Sequence, residues 1–286
     1  MRTFTFERPT TLAGAVDLLE AFGPAARPLA GGTDLIIRLR DGTLRPTTVI
    51  DLKQIPELRP SIRREAGRLV ISSTTVMTDI AADEHVRDQF VALAEAAAVV
   101  GAVQIRNRAT LGGNICNASP AADTATPLLV YQATVVAVGR QGVRRIPVAD
   151  FFVRSGETAL APGELVMSIE LPISDRRTGA VHLRRSRRRG HDLASVTVAC
   201  LVDERGVTRI AYGSVGPRPI LAVDETGVLA DPATSDAARA LVLEEMFAAA
   251  SPSPRSMRSS PEYRLAMLRL LGRRALGIAI ERLNAR

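Results

Sequence analysis

The sequence is poor in aromatic residues and in cysteine. It has no tryptophan, and all aromatic residues together make up 3% of its 286 residues. Proteins that bind nucleic acid by stacking its bases need aromatic side chains among basic ones, so this class is disfavoured although the net charge is +7. The two cysteines, Cys116 and Cys200, are too few for the four ligands of a common iron–sulfur cluster and too far apart for a zinc pair. Any redox metal that works with this chain is therefore expected in another chain.

Long apolar runs and metal-binding histidine spacings are also missing. No apolar run approaches the roughly 18 residues of a membrane span. The N-terminal segment carries Glu7 and Asp17 where a secretory signal would have an uninterrupted apolar stretch. The three histidines, His85, His182 and His191, have no i, i+4 spacing. We therefore expect a cytoplasmic protein with no membrane span and no metal ion of its own.

Two common glycine motifs for nucleotide binding do not occur. No two glycines are separated by a single residue, which excludes Gly-x-Gly-x-x-Gly, and no Gly-Lys-Ser/Thr occurs, which excludes a P-loop. Glycine occurs instead in two adjacent pairs, Gly31 with Gly32 and Gly112 with Gly113, each followed by polar side chains. Because glycine permits positive φ and has no Cβ, such loops can direct backbone N–H groups at phosphate oxygens. Two such loops suggest a bound diphosphate.

Hydrophobic periodicity and turn residues predict a mixed α and β fold. Thr10 or Thr11 is expected to cap a helix that ends at Gly23 and Pro24. A short helix over residues 35–40 would place the first glycine pair at its N-terminal end, where unpaired N–H groups favour phosphate. The alanine-rich segment 79–100 is predicted to be helical. Further predictions are strands over residues 48–51, 68–73, 133–138, 166–171, 193–202 and 207–215, a turn over 118–123, a hairpin turn over 203–206, and helices over 124–131, 235–250 and 261–283.

The pattern also predicts a domain boundary, and it shows one concentrated cluster of charge. Pro172, Ser174 and Gly179 interrupt the pattern, which indicates a domain over residues 1–176, with subdomains over about 1–57 and 58–176, and a second domain over 177–286. Five arginines lie within six positions. They could form a solvated face, dock an acidic partner or attract an anionic ligand such as NAD. They are Arg184, Arg185, Arg187, Arg188 and Arg189.

Four segments together resemble the FAD-binding medium subunit of molybdenum hydroxylases, the family that includes bacterial carbon monoxide dehydrogenase and xanthine dehydrogenase. They are residues 30–34 (AGGTD), 51–58 (DLKQIPEL), 104–114 (QIRNRATLGGN) and 118–123 (ASPAAD). Further similarity at residues 151–152, 158–164, 192–194 and 213–217 extends the resemblance over nearly the whole chain. The resemblance implies an α+β fold: an FAD-binding domain of the p-cresol methylhydroxylase (PCMH) and vanillyl-alcohol oxidase type in two subdomains, followed by a C-terminal antiparallel sheet with helices, as in the carbon monoxide dehydrogenase flavoprotein.

The resemblance also implies a non-covalent FAD site, assembled from two phosphate-contacting loops and several residues near the flavin. The loop residues are Ala30, Gly31, Gly32, Thr33, Asp34 and Leu35, and Thr110, Gly112, Gly113 and Asn114. The other implied residues are Val100, Gly101, Ser119, Asp123, Val166 and Arg184. Taken alone, each glycine pair could be a turn, Asp123 a helix cap and Val166 a buried strand residue.

The chain departs from the family pattern at three positions. Arg184 stands where the family commonly has lysine, His182 replaces a usual aromatic residue, and Leu221 replaces an arginine. Since a guanidinium is a larger planar fork than an ammonium, the reach of Arg184 differs from that of lysine.

By resemblance, this chain is the electron-transfer subunit of a complex. A large subunit would hold molybdopterin, a small subunit would hold two [2Fe–2S] clusters, and FAD would pass electrons to NAD, quinone or oxygen. The complex is expected to be a dimer of heterotrimers. Two other functions remain open: a stand-alone flavin oxidase, although many of those attach FAD through a histidine where this chain has Thr33, and an assembly protein without FAD.

Overall fold

The computed structural model describes residues 2–188 and 192–285, and within these residues it contains three larger sheets and one two-stranded sheet. The strands are β1 (Thr5–Glu7), β2 (Ala26–Leu29), β3 (Thr48–Asp51), β4 (Ile62–Glu65), β5 (Arg68–Ser72), β6 (Thr134–Gly139), β7 (Gly142–Pro147), β8 (Phe152–Arg154), β9 (Glu157–Thr158), β10 (Leu165–Pro172), β11 (Thr178–Arg185), β12 (Val196–Asp203), β13 (Thr208–Gly213) and β14 (Ile220–Asp224). The helices are α1 (Leu12–Phe22), α2 (Leu35–Arg40), α3 (Met77–Ala82), α4 (Glu84–Gln89), α5 (Val91–Val99), α6 (Val103–Arg106), α7 (Leu111–Cys116), α8 (Ala125–Val130), α9 (Val148–Phe151), α10 (Asp236–Met246) and α11 (Pro261–Asn284).

The N-terminal sheet is parallel, in the order β1-β3-β2. Thr11 caps α1 by accepting a hydrogen bond from the Gly14 N–H, and α1 ends at Gly23, which adopts φ +48°. This confirms the predicted start and end of the first helix. Strand β2 then delivers the chain to the first glycine loop, defined here as residues 30–35, and α2 begins at its last residue.

The second sheet is antiparallel, in the order β4-β5-β10-β6-β7. Its central strand β10 has a bulge between Val166 and Ser168 where it pairs with β6. A bulge re-aims the side chains of the bulged strand. Val166 itself is buried, in the same apolar cluster as Val100 and Leu111. The second sheet therefore places Val166 in the same core as the two segments that contain Val100 and Leu111, both of which are expected near FAD.

The helical character predicted for residues 79–100 is confirmed, and the stretch is divided into three short helices, α3, α4 and α5. Asp83 leaves the helical conformation at ψ 131° and its side chain accepts from the Val86 N–H, which starts α4. Phe90 adopts ψ 45° and separates α4 from α5. Phe90 is buried and its ring contacts that of Tyr131 edge to face, with centroids 5.0 Å apart. Tertiary packing of Phe90 thus overrides the alanine-rich periodicity.

The third sheet is antiparallel, in the order β11-β12-β13-β14. The hairpin predicted at residues 203–206 is confirmed, because β12 and β13 pair on either side of it and the Asp203 side chain accepts from the Arg205 and Val207 N–H groups. Strand β12 begins at Val196, three residues later than predicted, and the sequence pattern gave no strand for β11. Helices α10 and α11 cover the sheet, and Ser260 caps α11.

The two halves of the chain contact each other through α5 and α8 on one side and β11, β12 and β13 on the other. Arg282, in the last turn of α11, donates to the Ala180 carbonyl and to Glu95 of α5. The segment between β10 and β11 lies in the range where the sequence predicts a domain boundary. Within residues 2–188 and 192–285, no helix is long and apolar enough to cross a membrane.

Helix α11 packs directly on β11 at Gly179. A Cβ at this position would lie 1.9 Å from the Ala279 carbonyl oxygen and 2.5 Å from the Leu283 nitrogen. Both atoms belong to the helix backbone and cannot rotate away. Glycine at 179 is therefore required for the contact between strand and helix.

We predict that Gly179→Ala lowers the free energy of unfolding by about 1–3 kcal/mol, because α11 must move away from β11. Gly277→Ala is the matched control. A methyl group at this position of α11 would have no heavy atom within 4 Å, so the substitution should leave stability unchanged or raise it by up to about 1 kcal/mol. Urea unfolding followed by circular dichroism measures both. Equal stability of the two variants would contradict the packing argument.

Candidate functional site

The first glycine loop presents a row of unpaired backbone donors. Within the described residues, the N–H groups of Gly31, Gly32, Thr33 and Asp34 donate to no protein acceptor. Gly32 has φ +78°, a conformation that glycine adopts at low cost. The next helix begins at Leu35, and its first internal hydrogen bonds run from Ile36 to Gly32 and from Arg38 to Asp34. Four consecutive free N–H groups can bind an anion.

The first glycine loop abuts the chain just before the second glycine loop, defined here as residues 110–114. A Cβ at Gly31 would lie 2.0 Å from the Arg108 carbonyl oxygen, so only glycine permits this approach. The Asn117 amide, one residue beyond α7, donates to Asp34 Oδ1 at 3.3 Å. Two segments about 80 residues apart in sequence therefore form one continuous surface.

The second glycine loop has a different character, because its N–H groups are already paired. Leu111 donates to the Thr75 carbonyl, Gly112 to the Ser73 carbonyl, and Gly113 to Thr110 Oγ1, which caps α7. A Cβ at Gly112 would lie 2.6 Å from the Ser73 Cβ. We expected both loops to offer free amides. The structure gives that property to the first loop alone, and in the second loop Gly112 allows close packing of α7 against Ser73, the residue after β5.

Polar side chains extend the second loop toward Asp123. Asn114 Oδ1 accepts a hydrogen bond from Thr124 Oγ1 at 2.6 Å, which ties α7 to the residue after Asp123. Ser119 Oγ accepts from the Ala121 N–H and so stabilises the intervening turn. Asn114 is thus held in place by a neighbour of Asp123.

A cavity of about 270 Å³ lies beside the junction of the two loops. Its apolar wall includes Leu58, Pro60 and Val76, and Lys53 and Arg108 supply positive charge. The remaining lining residues include Ala30, Gly31, Asn107 and Thr110. The cavity therefore combines an apolar surface with cations next to the free N–H groups of the first loop.

Asp123 and Arg184 form an ion pair at the junction of the two halves of the chain. Arg184 Nη1 lies 3.0 Å from Asp123 Oδ2, and both side chains are about nine-tenths buried. The same guanidinium donates to the Val99 carbonyl at 2.7 Å and to the Asp192 carbonyl. Arginine can make these three contacts at once because its donors form a planar fork. The structure thus brings Asp123, Arg184 and the residue before Val100 together.

Val100 and Gly101 leave α5 in a sharp turn. Gly101 has φ +54°, and a Cβ there would lie 2.8 Å from the Ile105 side chain, so the turn requires glycine. Arg106 donates to the Val100 carbonyl at 3.3 Å and closes the turn. The carbonyl of the preceding residue, Val99, is the one that Arg184 binds.

The arginine cluster does not form one uniform basic patch. Arg184 points inward to Asp123, Arg185 donates to the Tyr263 hydroxyl, and Arg187 pairs with Asp192 at 3.0 Å. The hydrogen bond from Arg187 lowers the pKa of Asp192 to about 2. Arg189, the last member of the predicted cluster, lies outside the described residues, as does His191.

Several residues that shape the site were missed by the sequence analysis. Glu95 accepts from the His182 backbone N–H at 2.8 Å and from Arg282 at 2.6 Å, and so joins three elements at the junction. Asn117 links the two loops. Each of these contacts joins residues more than 80 positions apart, and no local pattern in the sequence indicates them. His182 was noted only as a departure from the family, yet its side chain lies 3.6 Å from Asp123.

Comparisons with known proteins identify relatives along the whole chain. Residues 2–174 match the family described as the FAD binding domain in molybdopterin dehydrogenase, and residues 181–279 match the CO dehydrogenase flavoprotein C-terminal domain. The chain is 32% identical to the xanthine dehydrogenase FAD-binding subunit of Escherichia coli O157:H7 over 286 residues, and 30% identical to the carbon monoxide dehydrogenase medium chain of Hydrogenophaga pseudoflava over 280 residues. Each match covers 96% of both chains.

Solved structures show the same similarity. Carbon monoxide dehydrogenase from Hydrogenophaga pseudoflava, in a form that lacks the Mo-pyranopterin moiety of the molybdenum cofactor, matches with a TM-score of 0.90 at 29% identity. Quinoline 2-oxidoreductase from Pseudomonas putida 86 matches with a TM-score of 0.86 at 26% identity. Both matches cover 98% of this chain and 98% of the other chain. The expected fold is therefore confirmed.

We predict that Arg184→Lys lowers the free energy of unfolding by about 1–3 kcal/mol, because one ammonium cannot satisfy Asp123 and both backbone carbonyls. Arg274→Lys is the matched control, since Arg274 is exposed on α11 and should change stability by less than about 0.5 kcal/mol. Chemical unfolding at pH 7 measures the difference. A loss no larger than that of the control would show that the extra contacts of the guanidinium are dispensable.

Proposed function

This chain belongs to the FAD-binding subunits of the molybdenum hydroxylase family, which are oxidoreductases, and we propose that it binds FAD non-covalently and transfers electrons from the iron–sulfur clusters of a partner subunit to an external acceptor. The observation that carries the proposal is the row of free N–H groups at Gly31, Gly32, Thr33 and Asp34. A diphosphate is the part of FAD that needs such donors.

The first glycine loop and its surroundings fit this group. The free N–H groups lie beside a cavity with Arg108 and Lys53 in its wall, and Lys53 is paired with Asp51. Arg108 therefore adds to the attraction for an anion. Asp34 is the acidic residue of the loop, and its side chain is exposed and bonded to Asn117. We assign Ala30, Gly31, Gly32, Thr33, Asp34 and Leu35 to the diphosphate.

The second glycine loop acts mainly through shape. The N–H groups of both glycines are paired, Gly112 lets α7 approach Ser73, and Gly113 lies against the Thr110 hydroxyl that caps α7. Thr110, Gly112, Gly113 and Asn114 are therefore assigned to the wall of the FAD site that faces the first loop. The contact between Gly31 and Arg108 holds the two walls together.

The residues near Asp123 form the other end of the proposed site. Asp123 and Arg184 offer fixed opposite charges, and the turn at Val100 and Gly101 places backbone beside them. Ser119 stabilises the turn before Asp123, and Val166 contributes an apolar wall. We assign these six residues to the flavin and the chain that joins it to the diphosphate. The first loop has Thr33 and no histidine or cysteine, which agrees with non-covalent binding.

When bound, FAD supplies redox chemistry that can accept electrons singly and release them in pairs. The protein's part is to bind and orient the cofactor. Within the described residues there is no cluster of three or more histidine, cysteine or carboxylate side chains that could hold a metal. Because the relatives are single subunits of dehydrogenases, we assign substrate oxidation to a large molybdopterin subunit and cluster chemistry to a small [2Fe–2S] subunit, in a cytoplasmic dimer of heterotrimers. The acceptor is NAD, quinone or oxygen.

The proposed division of labour follows the fold. Residues 1–176, with subdomains over about 1–57 and 58–176, would bind FAD, because both glycine loops and Asp123 lie there. Residues 177–286 would close the site, because β11 supplies Arg184 and α11 anchors β11 through Arg282. The ion pair between Asp123 and Arg184 then joins the two domains at the cofactor.

We predict that Gly31→Ala raises the Kd for FAD at least about tenfold, because the added methyl group displaces the first loop from Arg108. The purified full chain is titrated with FAD, and binding is followed by quenching of flavin fluorescence. Gly277→Ala should bind FAD as the unaltered chain does. Failure of the unaltered chain to bind FAD would overturn the proposed function and favour an assembly role.

We further predict that the chain, expressed with a tag in its native host, co-purifies with a subunit that contains molybdopterin and a subunit that contains [2Fe–2S] clusters. Metal analysis and the visible absorption spectrum detect both. The control is a tagged unrelated flavoprotein from the same host. A flavin-containing monomer that oxidises a substrate without partners would instead identify a stand-alone oxidase.

A further inference from the structure

His182 lies directly behind Asp123 in the junction between the two halves of the chain. Its side chain is 2% exposed, and its Nε2 is 3.6 Å from Asp123 Oδ1. On the other side of the ring, Nδ1 is 3.4 Å from Thr126 Oγ1 on α8. The other histidine within the described residues, His85, is exposed on α4.

Two buried polar atoms face each other at this point without a partner. Asp123 Oδ2 is bonded to Arg184, but Asp123 Oδ1 has no hydrogen bond, and neither has His182 Nε2. An unpaired buried donor or acceptor is costly, and these two are complementary. A side-chain rotation that shortens their separation by less than about 1 Å gives a charge-assisted hydrogen bond.

Each nitrogen of the His182 ring faces an oxygen atom that can be its hydrogen-bond partner. Thr126 Oγ1 donates to the Asp123 carbonyl at 3.4 Å and keeps lone pairs that can accept from His182 Nδ1. With one proton, the ring can donate from Nε2 to Asp123. With two protons, both ring nitrogens face an oxygen acceptor.

Charged groups approach the ring from several elements. Asp123 precedes α8, and Glu95 of α5 accepts from the His182 backbone N–H. Arg184 lies two residues further along β11, and Arg282 of α11 binds the second oxygen of Glu95. Glu95 therefore anchors the backbone of His182, while the ring faces Asp123.

We propose that His182 is a positioning residue of the FAD site, which holds Asp123 in the orientation that pairs with Arg184. The proposal rests on the proposed function, since it concerns FAD. His182 lies beside Asp123, so it acts through the ion pair. A side chain without a donor at position 182 would remove the group that can pair with Asp123 Oδ1.

The test uses the full chain loaded with FAD and two substitutions of His182. His182→Gln keeps an N–H donor, and His182→Leu has a similar volume without a donor. We expect the Kd for FAD to stay within about twofold in the glutamine variant and to rise about five- to tenfold in the leucine variant. The midpoint potential of the bound flavin, measured at pH 7, should differ from that of the unaltered chain in the leucine variant and return toward it in the glutamine variant.

His85→Gln is the matched control and should keep both the Kd and the midpoint potential. The proposal is overturned if His182→Leu binds FAD like the unaltered chain, or if His182→Gln loses as much affinity as His182→Leu. Circular dichroism checks folding, and if the leucine variant is unfolded, the glutamine variant decides the question. Failure of the unaltered chain to bind FAD is a separate result, which removes the proposed function itself.

Discussion

The approach of the Gly31 backbone to the Arg108 carbonyl is the contact on which the site depends. It brings the loop after β2 against the segment between α6 and α7. A Cβ at position 31 would lie 2.0 Å from the Arg108 carbonyl oxygen, so a side chain there would force the two segments apart. In the proposed FAD site, this contact holds the two glycine loops together.

The ion pair between Asp123 and Arg184 extends this arrangement to the second domain. Arg184 also binds carbonyls of Val99 and Asp192, so one buried side chain fixes the end of α5, the turn before α8 and the segment before β12. Glu95 and Arg282 reinforce the same junction from α5 and α11. In the proposed site, residues 177–286 therefore contact the flavin end through Arg184. Both glycine loops at the proposed diphosphate end belong to residues 1–176.

Local signals in the sequence predicted several elements correctly. The cap at Thr11, the helix over residues 35–40 and the hairpin after Asp203 each depend on residues within a few positions of one another, and each is confirmed. The breaks within the helical segment 79–100 were not predicted, because its periodicity does not reveal that Phe90 packs against Tyr131, 41 residues away. Strand β11 was missed because its burial depends on α5 and α11, which the local pattern does not include.

The family could be predicted from the sequence alone. The glycine pairs, their polar neighbours and their spacing to Asp123 are short sequence motifs that can be recognised without the fold. The same pattern identified the residues expected at the cofactor. The difference between the two glycine pairs emerges only in the folded chain: the amides of the second loop are paired with Ser73, Thr75 and Thr110, while those of the first loop remain free. The physical reason is that hydrogen bonding of a backbone amide depends on which distant strand lies beside it. The same reason applies to His182, whose place behind Asp123 is set by the packing of β11 against α8.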